Sequence, residues 1–280
     1  MVREDLFSLL ADVVRFHSPS GMELPLARHI ATTYLSDWDC TVDAMGNVLA
    51  QPETSDGPLG LVNAHLDTHP RHTTPGDAEI LARPDTISLS NGDDWVHRPS
   101  KPVQIGFDCK IGVALALSLT RRPGLDYKIA LTTQEEIGRK GVQYAIKNSP
   151  EFFKDTSFVL TLDRHSSEGA DIIYSYKGRR MASDMFLTWI EEISRQVGSP
   201  MFRRAGSSHR CSDSYDVSWA TSAPVVNLSV GIYDEHSQMD RLNLKEAEGT
   251  LRVVERCLRD GWNPGIESGV VTEKVGGGEE

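Results

Sequence analysis

Five short apolar runs, each leading into a carboxylate or an imidazole, are the strongest constraint on how this chain can fold. They are "LGLVNA" (59–64), "PVQIGF" (102–107), "YKIALTT" (127–133), "SFVLTL" (157–162) and "APVVNLSV" (223–230). The polar residues that follow are His65 and Asp67, then Asp108, then Glu135 and Glu136, then Asp163 and, after a short loop, His236. Other segments carry apolar residues at helical spacing, such as Leu6, Leu9, Leu10, Val13 and Phe16 near one end and Leu251, Val254 and Leu258 near the other. This alternation predicts an α/β fold, a three-layer sandwich whose central sheet is mixed, largely parallel and flanked by helices. In such sheets ligands bind beyond the carboxyl ends of the strands, where the loops converge on a rigid edge. The five polar strand ends are therefore expected on one rim.

Composition narrows the partners. With 29 Lys and Arg against 40 Asp and Glu, the net charge of -11 has the wrong sign for a nucleic-acid backbone, and no nucleic-acid partner is expected. The opening "MVREDLFSLLADVVRF" holds Arg3, Glu4, Asp5 and Asp12, too polar for a secretion signal or a membrane span. It predicts a cytoplasmic protein with no membrane partner. No Pro/Gly/Ser-rich linker and no internal repeat divides the chain, so residues 1–262 are expected to form one domain and 263–280, ending "VGGGEE", a flexible tail. The four cysteines are scattered, which predicts reduced thiols.

His65, Asp108, Glu136, Asp163 and His236 offer nitrogen and oxygen donors suited to Zn²⁺ and also to Co²⁺ or Mn²⁺. They lie tens of residues apart, so only a fold can assemble them. Singly, each has an ordinary reading as a core or surface polar residue. Their common placement at strand ends is what points to a metal centre. His65 and His69 have the i,i+4 spacing of helical zinc ligands, but Pro70 and the preceding strand-like run oppose a helix. His65 is thus the candidate ligand. His69 and His72, in the loop beyond it, read as solvent-exposed, with contact at the site's rim as the competing reading; the same holds for His165. No GxSxG serine elbow is present.

In the strings "HLDT" (65–68), "GFDCKIG" (106–112), "TTQEEIGRKG" (132–141), "LTLD" (160–163) and "DEHS" (234–237), the chain resembles the dinuclear zinc exopeptidases of metallopeptidase clan MH. These include peptidase T-like tripeptidases, glutamyl aminopeptidases and related deacylases. The resemblance spans residues 17 to 257 and implies a catalytic domain that binds two divalent metal ions, zinc first, with cobalt or manganese as substitutes. It implies that His65 and Asp163 hold one metal, Glu136 and His236 the other, and that Asp108 bridges them. Asp67 would orient His65 through its second nitrogen, and Glu135 would be the general base. Two divalent charges offset by three ligand carboxylates and a hydroxide leave such a cluster formally neutral, as a buried site requires.

What the resemblance implies is an aminopeptidase acting on small peptides, since "TTQEEIGRKG" is closer to the aminopeptidase branches and an acidic site suits an ammonium group. A carboxypeptidase, or a deacylase of acylated amino acids, is the alternative on the same site. It draws on Arg179, Arg180, Arg203, Arg204 and Arg210 as possible carboxylate partners. A glutaminyl cyclase-like acyl transferase and a non-catalytic metal-binding protein are the remoter alternatives; the intact glutamate pair and complete ligand set speak against the first, and the retained Glu135 against the second. Two departures stand out. Cys109 directly follows Asp108, where relatives carry an acidic residue, Asn or Met, and it is read as a buried bystander; and neither gap that holds an inserted lid or second domain in relatives is long enough here, which predicts no separate lid domain. The sequence assigns no oligomeric state.

Overall fold

A computed structural model describes residues 2–263 except 55–56, 73, 75, 84–85, 91, 99–102, 167–168 and 207–210. The expected tail, residues 264–280, lies outside the described residues, as does Arg210.

The first sheet strands are β1 (Asp39–Val42), β2 (Val48–Gln51), β3 (Leu59–His65), β4 (Lys128–Thr132), β5 (Thr156–His165) and β6 (Asp171–Ile173). A small hairpin, β7 (Ser175–Tyr176) with β8 (Arg179–Arg180), precedes β9 (Phe202–Arg204), β10 (Val225–Tyr233) and β11 (Arg241–Leu242). The main sheet has nine strands in the order β1-β2-β4-β3-β5-β10-β6-β9, with β11 on β10. Its centre, β4-β3-β5-β10, is parallel, whereas β2 on β4 and β6 on β10 are antiparallel.

The central strands are apolar throughout because both faces are covered. Val62, Leu160 and Val226 point into one buried cluster, and their neighbours Leu61, Val159 and Val225 into the other. Against the first face pack α1 (Val2–Val14), α4 (Phe107–Thr120) and α9 (Leu244–Asp260), with α2 (Leu24–Thr33), the short α3 (Asp77–Leu81) and α7 (Asp184–Gln196) nearby. On the other lie α5 (Lys140–Asn148), α6 (Pro150–Lys154) and α8 (Asp213–Ala220). This is the three-layer sandwich expected from the sequence. Residues 107–119 of α4 are all buried, since α1 and α9 cover the side that the sheet does not.

Two local expectations are corrected. "PVQIGF" is not a strand: 103–106 have no regular structure and Phe107 opens α4. Val103, Ile105 and Phe107 alternate and are buried, which imitates a strand, but the N–H groups of Ile105, Gly106 and Phe107 donate to the carboxylate of Asp240 and to no neighbouring strand. β5 also runs past Leu162 to His165, because Arg164 and His165 continue its pairing with β10 across a register shift. Asp163 therefore sits within the strand, in the stretch between Thr161 and Arg164 where the pairing with β10 first shifts register.

Candidate metal centre

Four of the five candidate ligands arise at the carboxyl edge of the parallel strands. His65 ends β3, Asp163 lies near the end of β5, Glu136 is in the turn after β4 and His236 in the turn after β10. Asp108 comes from the first turn of α4, where it and Cys109 depart from helical backbone angles.

The side chains converge. His65 Nε2 lies 3.1 Å from Asp108 Oδ1 and 3.1 Å from Asp163 Oδ1. His236 Nε2 lies 3.1 Å from Asp108 Oδ2 and 2.9 Å from Glu136 Oε2. The two carboxylate oxygens of Asp108 thus face different imidazoles, dividing the site into a His65/Asp163 half and a His236/Glu136 half. The Asp163 and Glu136 side chains are 8% and 4% exposed, which is costly for carboxylates unless positive charge is close.

The proton affinities carry that cost. Burial, followed by the charge of Asp108, pushes Glu136 up to about 7, and burial likewise pushes Asp163 up to about 7. Burial opposes a charge on His236, but hydrogen bonds with Asp108 and Glu136 override it and raise the ring to about 10. His65 is raised well above its usual range against the same burial, first by the charge of Asp163. Protons are held wherever the acids and imidazoles meet, in the place where a divalent cation would balance the charge. Glu136 Oε1 is also buried without a hydrogen-bond partner among the described residues. Donor chemistry, convergence and this orphaned oxygen all fit two divalent metal ions.

The supporting contacts are specific. His65 Nδ1 lies 3.0 Å from the backbone oxygen of Asp67 and 3.3 Å from its carboxylate, so the main chain is the nearer partner. The Asp67 carboxylate instead accepts the N–H groups of Glu135 and Glu136, at 2.9 and 3.1 Å, and the Ser20 hydroxyl at 2.7 Å. One aspartate thereby ties the β3 end to the turn that carries both glutamates. Asn227 accepts the N–H of Asp163 at 3.1 Å, and Glu23 accepts that of Gln134 at 2.9 Å. Glu135 lines the cleft, with its proton affinity raised by burial and then by Asp163.

Other sequence readings divide. Cys109 is buried and its thiol donates to the Leu162 carbonyl; burial pushes the thiol up. His69 is not a solvent-exposed loop residue: it is half-buried, and its ring stacks on His236 with centroids 4.5 Å apart. Spacing could not reveal this, because the stack joins the turns after β3 and β10. His72 closes a 3-10 turn, Pro70–His72, and its side chain lies outside the described residues. His165 is half-buried, faces the Arg164 guanidinium and lines the cleft.

The cleft beside the donors encloses about 310 Å³, and Arg164, Tyr176, Ser212, Asn227 and Glu235 form its further wall. None of the described arginines singled out in the sequence lines it. Arg179 stacks on Trp219, Arg180 pairs with Asp184, Arg203 with Glu191 and Arg204 with Asp171. The arginine on the wall is Arg164, held at 3.3 Å by buried Asp171; adjacency to Asp163 was the one signal that could have found it.

No protein-family model and no curated protein sequence matches the chain. Solved structures do match in shape. The aminopeptidase PepT from Bacillus cereus is 13% identical, with 92% of this chain and 98% of that one covered at a TM-score of 0.70. An aminopeptidase from the archaeon Desulfurococcus kamchatkensis is 16% identical over 92% and 96% of the two chains, at 0.69. A tripeptidase from Staphylococcus aureus is 13% identical over 92% and 98%, at 0.67. At these identities the likeness establishes the fold.

Proposed function

We propose that this chain is a two-metal hydrolase that cleaves a terminal amide bond of small peptides, and that it acts as an aminopeptidase. The observation that carries the reading is Asp108, whose two oxygens face two separate imidazole and carboxylate pairs. Similarity in fold to enzymes named aminopeptidase and tripeptidase supports it.

In this reading His65 and Asp163 hold one ion, His236 and Glu136 the second, and Asp108 both. When bound, two divalent ions, zinc or in its place cobalt or manganese, supply Lewis acidity toward a peptide carbonyl and lower the pKa of water. Glu135 takes a proton from the attacking water and delivers it to the leaving amine. Burial, and then the charge of Asp163, raises its proton affinity above the usual carboxylate range, the direction that suits a group that both takes and gives a proton. Asp67 fixes the tautomer of His65 and, through the N–H groups of Glu135 and Glu136, the placement of base and ligand together. The acidic wall formed by Glu135 and Glu235 suits a substrate ammonium group.

One observation favours the second reading, a carboxypeptidase or deacylase: Arg164 on the cleft wall could take a substrate carboxylate. A single panel separates the two. One tripeptide, its N-acetyl form and its C-terminal amide are assayed with added Zn²⁺, Co²⁺ or Mn²⁺, alongside elemental analysis. Two metals per chain, cleavage of the free peptide and the amide, and none of the acetylated form are expected. A maximum of one metal overturns the dinuclear reading, and equal cleavage of the acetylated peptide with loss on the amide overturns the aminopeptidase.

No helix among the described residues is long and apolar enough to cross a membrane.

A further inference from the structure

The two imidazoles of the centre are held in different ways. A metal-binding histidine usually donates its second ring N–H to a carbonyl or carboxylate, which fixes both tautomer and ring plane. His65 does so through the Asp67 carbonyl at 3.0 Å, and its side chain is only 2% exposed. His236 has no such partner: among the described residues, no group hydrogen-bonds its Nδ1. Its side chain is 31% exposed, and its backbone takes the left-handed φ of 57°, where a non-glycine residue is disfavoured. A ring on a turn of this kind needs some other restraint if it is to present Nε2 to Glu136 and Asp108.

His69 supplies a flat surface at that place. Its ring lies 27° from parallel to that of His236 at a centroid distance of 4.5 Å, and one of its ring nitrogens lies within 4.8 Å of the donor atoms of Glu136 and His236. That proximity alone would also suit a third ligand. The tautomer argues otherwise, because His69 Nδ1 accepts the N–H of Arg71 at 3.1 Å. A ring that accepts at Nδ1 is neutral and carries its proton on Nε2, so neither nitrogen offers a lone pair to a metal.

We propose that His69 is a positioning residue for the second half of the centre: its ring face clamps His236, in place of the hydrogen bond that His236 lacks, and so sets the affinity of the His236/Glu136 metal. The inference rests on the two-metal reading. It concerns a residue that binds no metal and touches none of the reacting atoms.

The test is a titration of metal-free protein with Zn²⁺ against a competing chelator, resolving two affinities, repeated with Co²⁺ and read by its visible absorption. His69→Ala weakens the second site by about 10- to 100-fold, the range found when partners of metal-binding histidines are removed, and leaves the first site at its original affinity. His69→Phe, which keeps a flat ring and has no nitrogen, restores most of the second affinity; His69→Gln, which keeps an N–H and has no ring, does not. Unchanged affinities in His69→Ala, equal loss at both sites, or a His69→Phe as weak as His69→Ala each overturn the clamp. The last outcome would make a ring nitrogen the active part. A wild-type protein that takes up only one ion fails differently, since it removes the two-metal reading itself.

Discussion

Glu135 and Glu136 are neighbours in sequence with opposite assignments, and a single atom exchange in each separates them. Glu136 points an oxygen at His236, 2.9 Å away, whereas Glu135 faces the cleft. Glu135→Gln is expected to lower kcat by about 10²- to 10⁴-fold, the contribution of general acid-base catalysis, while elemental analysis still finds two metals. Glu136→Gln is expected to lose metal as well as activity, with partial recovery at high metal concentration; the reverse pattern would exchange the two roles. The five candidate donors, which the fold brings together, could be read from the sequence because each lies in a short string after an apolar run. His69 could not, since its place depends on the mutual packing of two loops more than 150 residues apart. Arg164 was hidden for a related reason: a strand residue's face is decided by where pairing becomes irregular, which no local pattern reports.

At the level of elements, the segment before α4 holds the most informative disagreement. The apolar residues Val103, Ile105 and Phe107, alternating in sequence, carry the signature of a strand, but the N–H groups that would form a ladder end on Asp240, whose side chain is 2% exposed and also paired with Arg98 at 3.2 Å. Periodicity records which side chains are buried; it does not record what the backbone bonds to. Asp240 delivers the bridging candidate Asp108 by fixing the turn just before it. Asp240→Ala leaves three buried N–H groups without an acceptor, and hydrogen bonds to a charged group are worth about 1.5–3 kcal/mol each. A loss of several degrees in Tm and weaker binding of both metals are expected. Calorimetry and metal titration measure them; a variant with lowered Tm but intact affinities would show that the turn does not position Asp108. Gly106 in the same turn has φ of 77°, and a Cβ there would lie 2.4 Å from the Thr68 hydroxyl, so Gly106→Ala should disturb the same link.

Across the whole molecule, the raised proton affinities give stability a definite dependence on pH. Glu136 and Asp163 near 7, and Asp213 and Asp240 near 6, all bind protons more tightly in the fold than their usual carboxyl values allow, in each case first through burial. Each therefore stabilises the metal-free fold at acid pH, and that contribution disappears as pH rises through the folded value. The raised His236, near 10, has the same sign over a higher window. Metal-free protein is expected to lose Tm steadily from pH 5 to pH 8, whereas metal-loaded protein, whose ligands must be deprotonated to bind, holds or gains stability over that range. Scanning calorimetry with and without chelator checks this, and parallel curves would show that no cation replaces those protons. The layered fold was legible in the sequence because apolar runs and helical stripes are local features that add up, while the strand order, with β10 inserted between β5 and β6, is written in no local pattern. That insertion also sets a schedule. During synthesis the His65, Asp108 and Asp163 segments are made long before His236, yet β10 must enter the middle of the sheet before the second half of the centre exists. In the two-metal reading, the place for the second ion is complete only after the segment carrying His236 has been made and β10 has entered the sheet, so the two halves of the centre would mature at different times.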